Sequence, residues 1–344
     1  MMKLGVFDHM DRGLAPLDRF FEERLKLTEA YDRAGFYGYH VAEHHATPLG
    51  VAPSPGVWLA AVAQRTKRLR FGPLVYLLPL YHPIKLIEEI CMLDQMSGGR
   101  LLLGVGRGIS PIEMRYYGLN PEETPAMYAE ALEVILRGLT QRELTFEGKY
   151  YNYRDVPMEM EPFQRPHPPL WYGLGRTDGV PWAVQYKVNI VGNLGGAGMR
   201  ALTDRYRAEW IAQGNQPEDM PFMGVGRHVV VAETEKEALE IGERGYRKWR
   251  ESFLMLWRKH NMSLPNPNAM FPETFEGAEA QGRAVAGPPE KVRAYLQRTI
   301  DEGGLNYLLC RFAFGDITGD EALNSVDLFA RRVMADIRPC PQDA

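Results

Sequence analysis

Residues 69–108 read LRFGPLVYLLPLYHPIKLIEEICMLDQMSGGRLLLGVGRG and contain one strand–helix–strand unit. Apolar runs at 69–78 and 100–106 predict strands, and the segment 83–97 between them has apolar residues at helical spacing. Pro83 favours a helix start, because its missing N–H costs little there, and the glycine pair that follows the segment predicts the helix end. Two strands joined by a helix in this way are predicted to lie parallel in one sheet.

The same alternation continues along the whole chain. Further strand-like runs lie at 3–8, 38–44, 169–174, 188–194, 222–232 and 305–314. Further helical patterns lie at about 17–34, 56–65, 124–139, 179–186, 197–213, 234–260, 288–302 and 320–336. Eight strand–helix units predict a parallel sheet wrapped by helices, and eight such strands close a barrel. We therefore predict an α/β fold, a single (β/α)₈ TIM barrel with insertions, spanning residues 1–344.

Two stretches depart from the alternation. Residues 141–168 contain a hairpin pattern around Glu147-Gly148 and then a Pro-rich connector, which predicts an insertion. Residues 259–287 are rich in Pro, Asn and Gly and have little apolar periodicity. A loop of that length is typical of a mobile lid over a functional site, and a mobile surface insertion is the alternative.

Composition and charge exclude several classes of protein. The chain has 344 residues, 45% of them hydrophobic, so it can build a core large enough for a buried ligand site. Its net charge of -4 argues against nucleic acid or a membrane surface as partner. Three cysteines are too few for a disulfide framework and favour a reducing compartment. With neither a signal-peptide pattern nor a membrane-spanning run, we expect a cytoplasmic protein.

Polar residues that follow the predicted strands are the candidate site residues. Barrel enzymes carry their reactive groups at the carboxyl ends of the strands and in the loops after them. The residues in these places are Asp8-His9, Glu43-His44-His45, Gly106-Arg107-Gly108, Gly173-Leu174-Gly175-Arg176, Asn193, Arg227-His228 and Arg311.

Glu43-His44-His45 is the most reactive of these segments. Histidine can donate or accept a proton near neutral pH. Adjacent side chains of a strand point to opposite faces, so only one of the two imidazoles is expected to face a pocket. A metal site is disfavoured, because it needs two ligands on one face together with carboxylates from other strands. A structural role, with both imidazoles hydrogen-bonded at the barrel rim, is the alternative.

Two further segments suit an anion. Arg107 lies between glycines directly after a buried strand, although a salt bridge at the rim explains it equally well. The segment from Gly173 to Gly179 runs from a strand into a helix start, where free N–H groups favour a phosphate. It matches neither the dinucleotide-binding fingerprint nor a P-loop. Nearby aromatic residues suit the walls of a pocket for a planar ring, or simply pack in the core; they are Tyr76, Tyr81, Tyr116, Tyr117, Trp171 and Tyr172.

Four segments together resemble the bacterial luciferase family of flavin-dependent monooxygenases and related oxidoreductases. They are Val41-Ala-Glu-His-His45 after Ala34-Gly-Phe36, Leu77-Leu-Pro-Leu-Tyr-His-Pro83, Leu93-Asp-Gln-Met-Ser-Gly-Gly-Arg100 and Gly104-Val-Gly-Arg-Gly108. Their order and spacing match that family, and the resemblance spans nearly the whole chain.

The resemblance implies a role for each matching position. His44 matches the histidine that assists the flavin chemistry, and Arg107 matches an arginine that holds the flavin phosphate. Residues 175–179 match the segment that completes the phosphate site, and Leu74-Val75 falls where the family has a non-prolyl cis peptide under the isoalloxazine ring. The implied cofactor-binding residues are Ala42, Leu74, Val75, Gly106, Arg107, Gly173, Gly175, Arg176, Thr177 and Gly179. Glu43 and Glu113 are further catalytic candidates beside His44.

Three positions, in two segments, depart from the luciferase branch of the family. That branch has a cysteine just before the arginine, where this chain has Gly106. An acidic residue and a serine in the phosphate segment are replaced by Gly175-Arg176, so Arg176 is expected to supply a second cation. These changes argue against light emission and leave flavin binding intact.

The resemblance implies a two-component monooxygenase. Reduced FMN arrives from a separate flavin reductase and reacts with O₂ to a C4a-peroxyflavin, which attacks a small organic substrate. Family members are commonly dimers, and the helices after strands 2 and 3 are candidate interface elements of a homodimer. Three alternatives stay open: an F420-dependent hydride-transfer oxidoreductase on the same fold, a non-catalytic flavin-binding protein and a metal-dependent barrel hydrolase.

Overall fold

A computed structural model of the chain describes residues 2–264 and 271–340, in which strands and helices alternate. In chain order they are β1 (Lys3–Asp8), α1 (Leu17–Ala34), β2 (Gly38–Val41), α2 (Pro55–Arg65), β3 (Arg70–Pro73), β4 (Tyr76–Leu77), α3 (Pro83–Ser97), β5 (Leu103–Gly106), α4 (Pro111–Tyr116), α5 (Thr124–Thr140), β6 (Glu143–Glu147), β7 (Asn152–Pro157), β8 (Leu170–Gly173), α6 (Val180–Gln185), β9 (Asn189–Gly192), α7 (Gly196–Ala212), β10 (Met223–Val231), α8 (Glu235–Lys259), α9 (Phe275–Ala280), β11 (Ala284–Gly287), α10 (Pro289–Gly303), β12 (Tyr307–Arg311) and α11 (Gly319–Arg332). Each strand-like run and each helical pattern of the sequence corresponds to one of these elements, except that the run 69–78 is divided into β3 and β4.

The parallel strands form the predicted barrel. Their order is β3-β2-β1-β12-β10-β9-β8-β5-β4. The ring closes because β4 pairs with β5 and because Phe71 of β3 forms a parallel bridge with Leu101, just before β5. When β3 and β4 are counted as two parts of one strand, the described residues contain eight barrel strands. This confirms the (β/α)₈ prediction.

Local sequence explains where the long helices begin and end. Pro83 occupies the first position of α3, and Gly98 ends that helix in the left-handed conformation, with φ 65°. Gly35 ends α1 in the same way, with φ 85°. Glycine is the residue that adopts this conformation without steric cost. Both helices therefore have the bounds that the sequence predicts.

Apolar side chains fill the barrel from within and also bind it to its helices. Inside the barrel, the buried cluster consists of Leu102, Trp171, Val191, Tyr307 and Leu309. A larger cluster lies between the outer face of the sheet and the surrounding helices. Because the interior is packed, a ligand can approach only at the rims of the barrel.

Both insertions contain regular structure. In 141–168, β6 and β7 form the predicted antiparallel hairpin, in which Glu147 lies opposite Asn152. In 259–287 the sequence showed no periodic element, but the structure has α9 and β11 there. Thr274 caps α9, because its side chain accepts the N–H of Gly277, and β11 pairs with the extended outer end of β10. Residues 265–270, in the middle of the expected lid, lie outside the described residues.

Among the helices of the described residues, none has the length and apolar character that a membrane crossing requires.

Candidate functional site

The carboxyl ends of the barrel strands bring the predicted site residues to one rim. Glu43, His44 and His45 follow β2, Arg107 follows β5, and Gly173 is the last residue of β8. Parallel barrel strands all end at the same rim, so these groups share one face of the molecule.

Glu43 is buried and holds two neighbouring strand exits together. One carboxylate oxygen accepts the backbone N–H of Leu77 at 3.0 Å, and the other lies 2.8 Å from Nε2 of His45. The hydroxyl of Tyr117 lies 2.7 Å from Nδ1 of the same imidazole. Burial raises the pKa of Glu43 and outweighs the opposing hydrogen bonds from His45, the Leu77 amide and Tyr81. Glu43 and His45 are therefore hydrogen-bond partners of each other beneath the rim.

His44 has a different carboxylate partner. Its Nδ1 lies 3.3 Å from Oε1 of Glu113, whose other oxygen accepts the backbone N–H of His45 at 3.3 Å. A carboxylate only accepts hydrogen bonds, so this contact places the imidazole proton on Nδ1 and leaves Nε2 free. The two imidazoles diverge, as expected, but strand alternation is not the reason. Because β2 ends at Val41, the two carboxylates direct the side chains instead.

Glu113 is positioned by the start of α4, a helix that the sequence did not predict. Ser110 caps this helix, since its hydroxyl accepts the N–H of Glu113 at 3.3 Å. Pro111 occupies the first helical position. Only 3% of the surface of Glu113 is exposed. The structure therefore brings the half-buried His44 and the buried Glu113 together as a hydrogen-bonded pair.

A second polar group lies beside His44, after the neighbouring strand β1. Trp249 donates from Nε1 to Nδ1 of His9 at 3.3 Å, and the His9 ring stacks on the His44 ring at 6.0 Å. Burial, assisted by the charge of Arg311, lowers the pKa of His9 and of His228 well below the ordinary value. Both imidazoles are therefore neutral at physiological pH.

The segment after β8 has room for a ligand. A Cβ placed on Gly173 or on Gly175 would have no heavy atom within 4 Å, and neither residue has a positive φ. Packing and backbone strain therefore do not require glycine there, and the space beside both residues is open to a bound group. Thr177–Gly179 form one 3₁₀ turn directly before α6.

Arg107 and Arg176 are both exposed at this side of the rim, and within the described residues only Arg176 has an acidic partner. The charge of Arg107 partly offsets the burial that raises the pKa of Tyr172 in β8, so it lies near this segment. The guanidinium of Arg176 is held by Asp178, with Nη2 to Oδ2 at 2.6 Å and Nε to Oδ2 at 3.0 Å. The role of Arg176 as a second cation stays a prediction.

The Leu74–Val75 peptide bond is cis, as the resemblance implied. Both side chains are half-buried. A Cβ on Gly106 would lie only 2.4 Å from Cγ2 of Val75, so position 106 has no space for a larger side chain. Ala42 is buried at the end of β2, and its N–H donates to the carbonyl of Asp8 at 2.9 Å.

Aromatic residues of α8 cover the rim. They were not among the site residues predicted from the sequence. The rings of Trp249 and Phe253 stack at 5.5 Å, and Leu256 and Trp257 line a small cavity together with His44. The spacing of Tyr246, Trp249, Phe253 and Trp257 by three or four residues places them on one helix face and could have identified this cover.

Several aromatic residues that were expected to line a pocket have other places. Trp171 is fully buried and packs on Tyr307 inside the barrel. Tyr76 donates a hydrogen bond to Glu89 at 2.9 Å, and Tyr116 lies 2.6 Å from Nε2 of His260, which connects α4 to the end of α8. Trp171 therefore packs in the core, which is the second of the two alternatives that the sequence left open for these rings.

The described residues contain no cluster of three or more His, Cys, Asp or Glu side chains that could hold a metal ion.

Comparison with known proteins places the chain among flavin enzymes. A sequence model of the luciferase-like monooxygenases matches residues 2–306. The protein y4wF of Sinorhizobium fredii, described as uncharacterized, is 39% identical over 322 residues, which cover 94% of this chain and 93% of that protein. The oxygenase component of the flavin-dependent trigonelline monooxygenase of Acinetobacter baylyi is 27% identical over 244 residues, covering 69% of this chain and 67% of that protein.

Solved structures show the same fold. Monooxygenase RslO1 from Streptomyces bottropensis superposes with a TM-score of 0.86 at 25% identity, covering 96% of this chain and 98% of that one. The oxygenating constituent of 3,6-diketocamphane monooxygenase from Pseudomonas putida, solved in complex with FMN, has a TM-score of 0.81 at 22% identity, covering 98% and 99%. At that identity the likeness concerns the fold alone.

Proposed function

This chain belongs to the luciferase-like monooxygenases, which makes it a flavin-dependent oxidoreductase, and we propose that it uses reduced FMN and O₂ to oxidise a small organic substrate. We further propose that a separate flavin reductase supplies the reduced FMN. The relative from Acinetobacter baylyi is named as an oxygenase component, which supports this division of labour.

The residues at the rim fit FMN. The observation that carries the proposal is the open space at Gly173 and Gly175, beside the exposed Arg107. Arg107 would bind the phosphate, and Thr177 and Gly179 would complete its site with polar groups of the turn. Leu74 and Val75 would support the isoalloxazine ring, with Ala42 and Gly106 behind them. When bound, reduced FMN supplies the electrons that activate O₂.

His44 would move or hold a proton at the reacting centre. Glu113 accepts from Nδ1 of His44, so Nε2 is the nitrogen available for proton transfer. Glu113 acts as a positioning residue for this imidazole. Glu43 lies further from the reacting centre than His44, and it binds His45 and the Leu77 amide. Its proposed contribution is to fix the backbone between Val75 and Leu77. The cover formed by α8, together with residues 260–264, would exclude water from the rim.

We propose a cytoplasmic homodimer. All three cysteines are free and buried, which suits a reducing compartment. Apolar side chains on the helices after strands 2 and 3 are exposed: Val57 of α2 to 77%, and Met92 and Met96 of α3 to 50% and 49%. A second copy that covers these neighbouring helices would bury them. Light scattering of wild-type protein and of Met92→Glu tests this, since a dimer that uses this face would dissociate in the variant.

Rapid mixing tests the proposed activity. Photoreduced FMN is bound to the protein without oxygen and is then mixed with aerated buffer, while flavin reoxidation is followed by absorbance. We expect the protein to change the rate and spectral course of reoxidation relative to free FMN. Arg107→Ala is the matched control, because it should reduce the amount of bound FMN and return the trace to that of free flavin.

Two results would contradict the proposal. A protein that binds FMN but leaves its reoxidation identical to that of free flavin would be a flavin carrier. A protein that does not bind FMN but reduces F420 in the presence of an alcohol would be a hydride-transfer enzyme on the same fold.

A further inference from the structure

The barrel interior holds a guanidinium whose charge is not balanced by an acidic side chain. Arg311, the last residue of β12, has 4% of its surface exposed. Its Nη2 donates to Oδ1 of Asn193 at 3.0 Å, whereas its Nε and Nη1 have no acceptor. Within residues 2–264 and 271–340, no carboxylate lies at ion-pair distance from it. Buried charges without partners are costly, and such a group in a native protein calls for an explanation, such as a bound water, an ion or a functional role.

Neighbouring strands show where this guanidinium lies. It sits 4.9 Å above the ring of Phe7 in β1, and a Cβ on Gly226 in β10 would lie 2.8 Å from its Nη2. It therefore points into the barrel, just below the rim. In the sheet, β10, β9 and β8 separate β12 from β5 on one side, and β1, β2 and the broken strand β3–β4 separate them on the other. Arg311 thus faces Arg107 across the mouth of the barrel.

Each carboxyl group near this rim already has at least one partner, although Oδ1 of Asp11 has none among the described residues. Glu43 binds His45, and Glu113 binds His44. Asp8 accepts the N–H of Met10 at 2.7 Å, and one of its oxygens lies 3.9 Å from Nε of Arg24. The carboxyl group of Asp11 accepts the N–H of Gly315. The side of the mouth near Arg311 therefore has an excess of positive charge.

Arg311 remains charged at neutral pH. Burial and the nearby Arg227 lower its pKa to about 9, which still lies above the physiological range. The neighbouring imidazoles, His9 and His228, are neutral because of their own burial. The excess charge is consequently shared by Arg311, which has two free donors, and Arg227, whose Nη1 and Nη2 donate to the carbonyls of Gly226 and Leu194.

We propose that Arg311 binds an anionic oxygen of the organic substrate, a carboxylate or an ionised phenol, whose apolar body packs against the aromatic face of α8. This inference rests on the proposed function, in which the flavin phosphate lies at Arg107 and leaves the opposite side of the mouth to the substrate. Charge-assisted hydrogen bonds from a guanidinium to an oxyanion are stronger than those between neutral groups. On this side Phe253 is half-buried and stacks on the fully buried Trp249, so Phe253 supplies the apolar wall. The anionic edge of the reduced flavin ring is the other possible source of the same chemistry.

Binding of a charged and an uncharged probe separates these sources. Benzoate and benzamide have the same shape, and their affinities are measured by calorimetry on the flavin-free protein at pH 7. Reduced FMN is titrated separately without oxygen. We expect wild-type protein to prefer benzoate by roughly tenfold or more, the size of one charge-assisted hydrogen bond. Arg311→Met should abolish this preference and leave the affinity for reduced FMN nearly unchanged.

Two further variants keep the test independent of folding and of the flavin proposal. Asn193→Asp places a carboxylate next to Nη2 of Arg311 without a change of shape, and it should also abolish the preference for benzoate. Arg107→Met should weaken FMN and leave the preference intact. A wild-type protein without preference, or variants of Arg311 and Asn193 that retain it, would overturn the inference. If Arg311→Met weakened reduced FMN as strongly as benzoate, the partner would be the flavin instead. Failure of the proposed function appears separately, as unchanged reoxidation of FMN.

Discussion

Replacement of Gly106 by alanine tests the contact that shapes the floor of the site. The new methyl group would lie 2.4 Å from Cγ2 and 3.3 Å from Cβ of Val75. Carbon atoms in contact prefer about 3.5–4.0 Å, so the side chain of Val75 must move by roughly 1 Å. Overpacking of this kind costs about 1–3 kcal/mol. The loss of a flexible glycine from the unfolded chain offsets about 0.4–1 kcal/mol of this. The middles of these two ranges leave a net destabilisation of about 1 kcal/mol.

A double-mutant cycle isolates the contact. Val75→Ala removes Cγ1 and Cγ2, so most of the clash disappears in the Gly106→Ala/Val75→Ala protein. Urea unfolding of the four proteins without flavin should give a coupling energy of at least about 0.5 kcal/mol, as is usual for residues in contact. FMN affinity should fall in Gly106→Ala, because the displaced Val75 side chain supports the proposed flavin ring, and the two substitutions together should lower it by less than the sum of their separate effects. Additive effects of the two substitutions, or a Gly106→Ala protein as stable as wild type, would refute this account of position 106.

Three other predictions concern single side chains. His44→Ala should slow substrate oxidation at least about a hundredfold, in line with the loss of a general acid or base, with FMN affinity nearly unchanged; equal losses of binding and turnover would contradict its role. Asp178→Asn removes the carboxylate that holds Arg176, so FMN should bind more tightly relative to riboflavin; an unaltered ratio of the two affinities would argue against a phosphate contact by Arg176. Burial raises the pKa of Asp11 from 3.8 to about 7, with Asp8 adding to the effect and Arg24 opposing it. The folded protein thus retains a proton that the unfolded chain releases, and this group destabilises the fold progressively as the pH rises from about 4 to 7. Asp11→Asn should therefore gain stability relative to wild type between pH 5 and pH 8 in urea unfolding, and parallel pH profiles would exclude this.

The fold could be predicted from sequence because its signals are local. The bounds of α1 and α3 follow from apolar spacing, one proline and two left-handed glycines, all within a few residues of each helix. The elements that escaped prediction are short. Helices α4 and α9 have six residues each, too few for a periodic pattern, and depend on the caps Ser110 and Thr274. Strand β11 has four residues and forms because β10 continues past the end of its neighbours.

The site could be predicted only in part, for a physical reason. Strand ends identify the residues at a rim, but they do not show which of them will meet. The pairing of His44 with Glu113 joins positions 69 residues apart and depends on the path of the chain after β5. The partner of Arg176, two residues along the chain, could have been noticed as a nearby opposite charge. The lack of an acidic partner for Arg311 among the described residues could not be predicted, because it depends on which side chains the packed interior brings together.

The different burial of the two arginines at the rim suits the two ligands proposed for them. Arg107 is exposed, so its binding of a phosphate involves little desolvation and allows a reduced flavin to enter and leave between turnovers. Arg311 is buried, so its charge is screened little by water, and an uncharged substrate analogue would leave it unpaired. An exposed cation thus favours rapid exchange of its ligand, whereas a buried cation favours discrimination between charged and uncharged ligands. Under the two proposals, the chain would select its organic substrate more stringently by charge than it selects its flavin by phosphate.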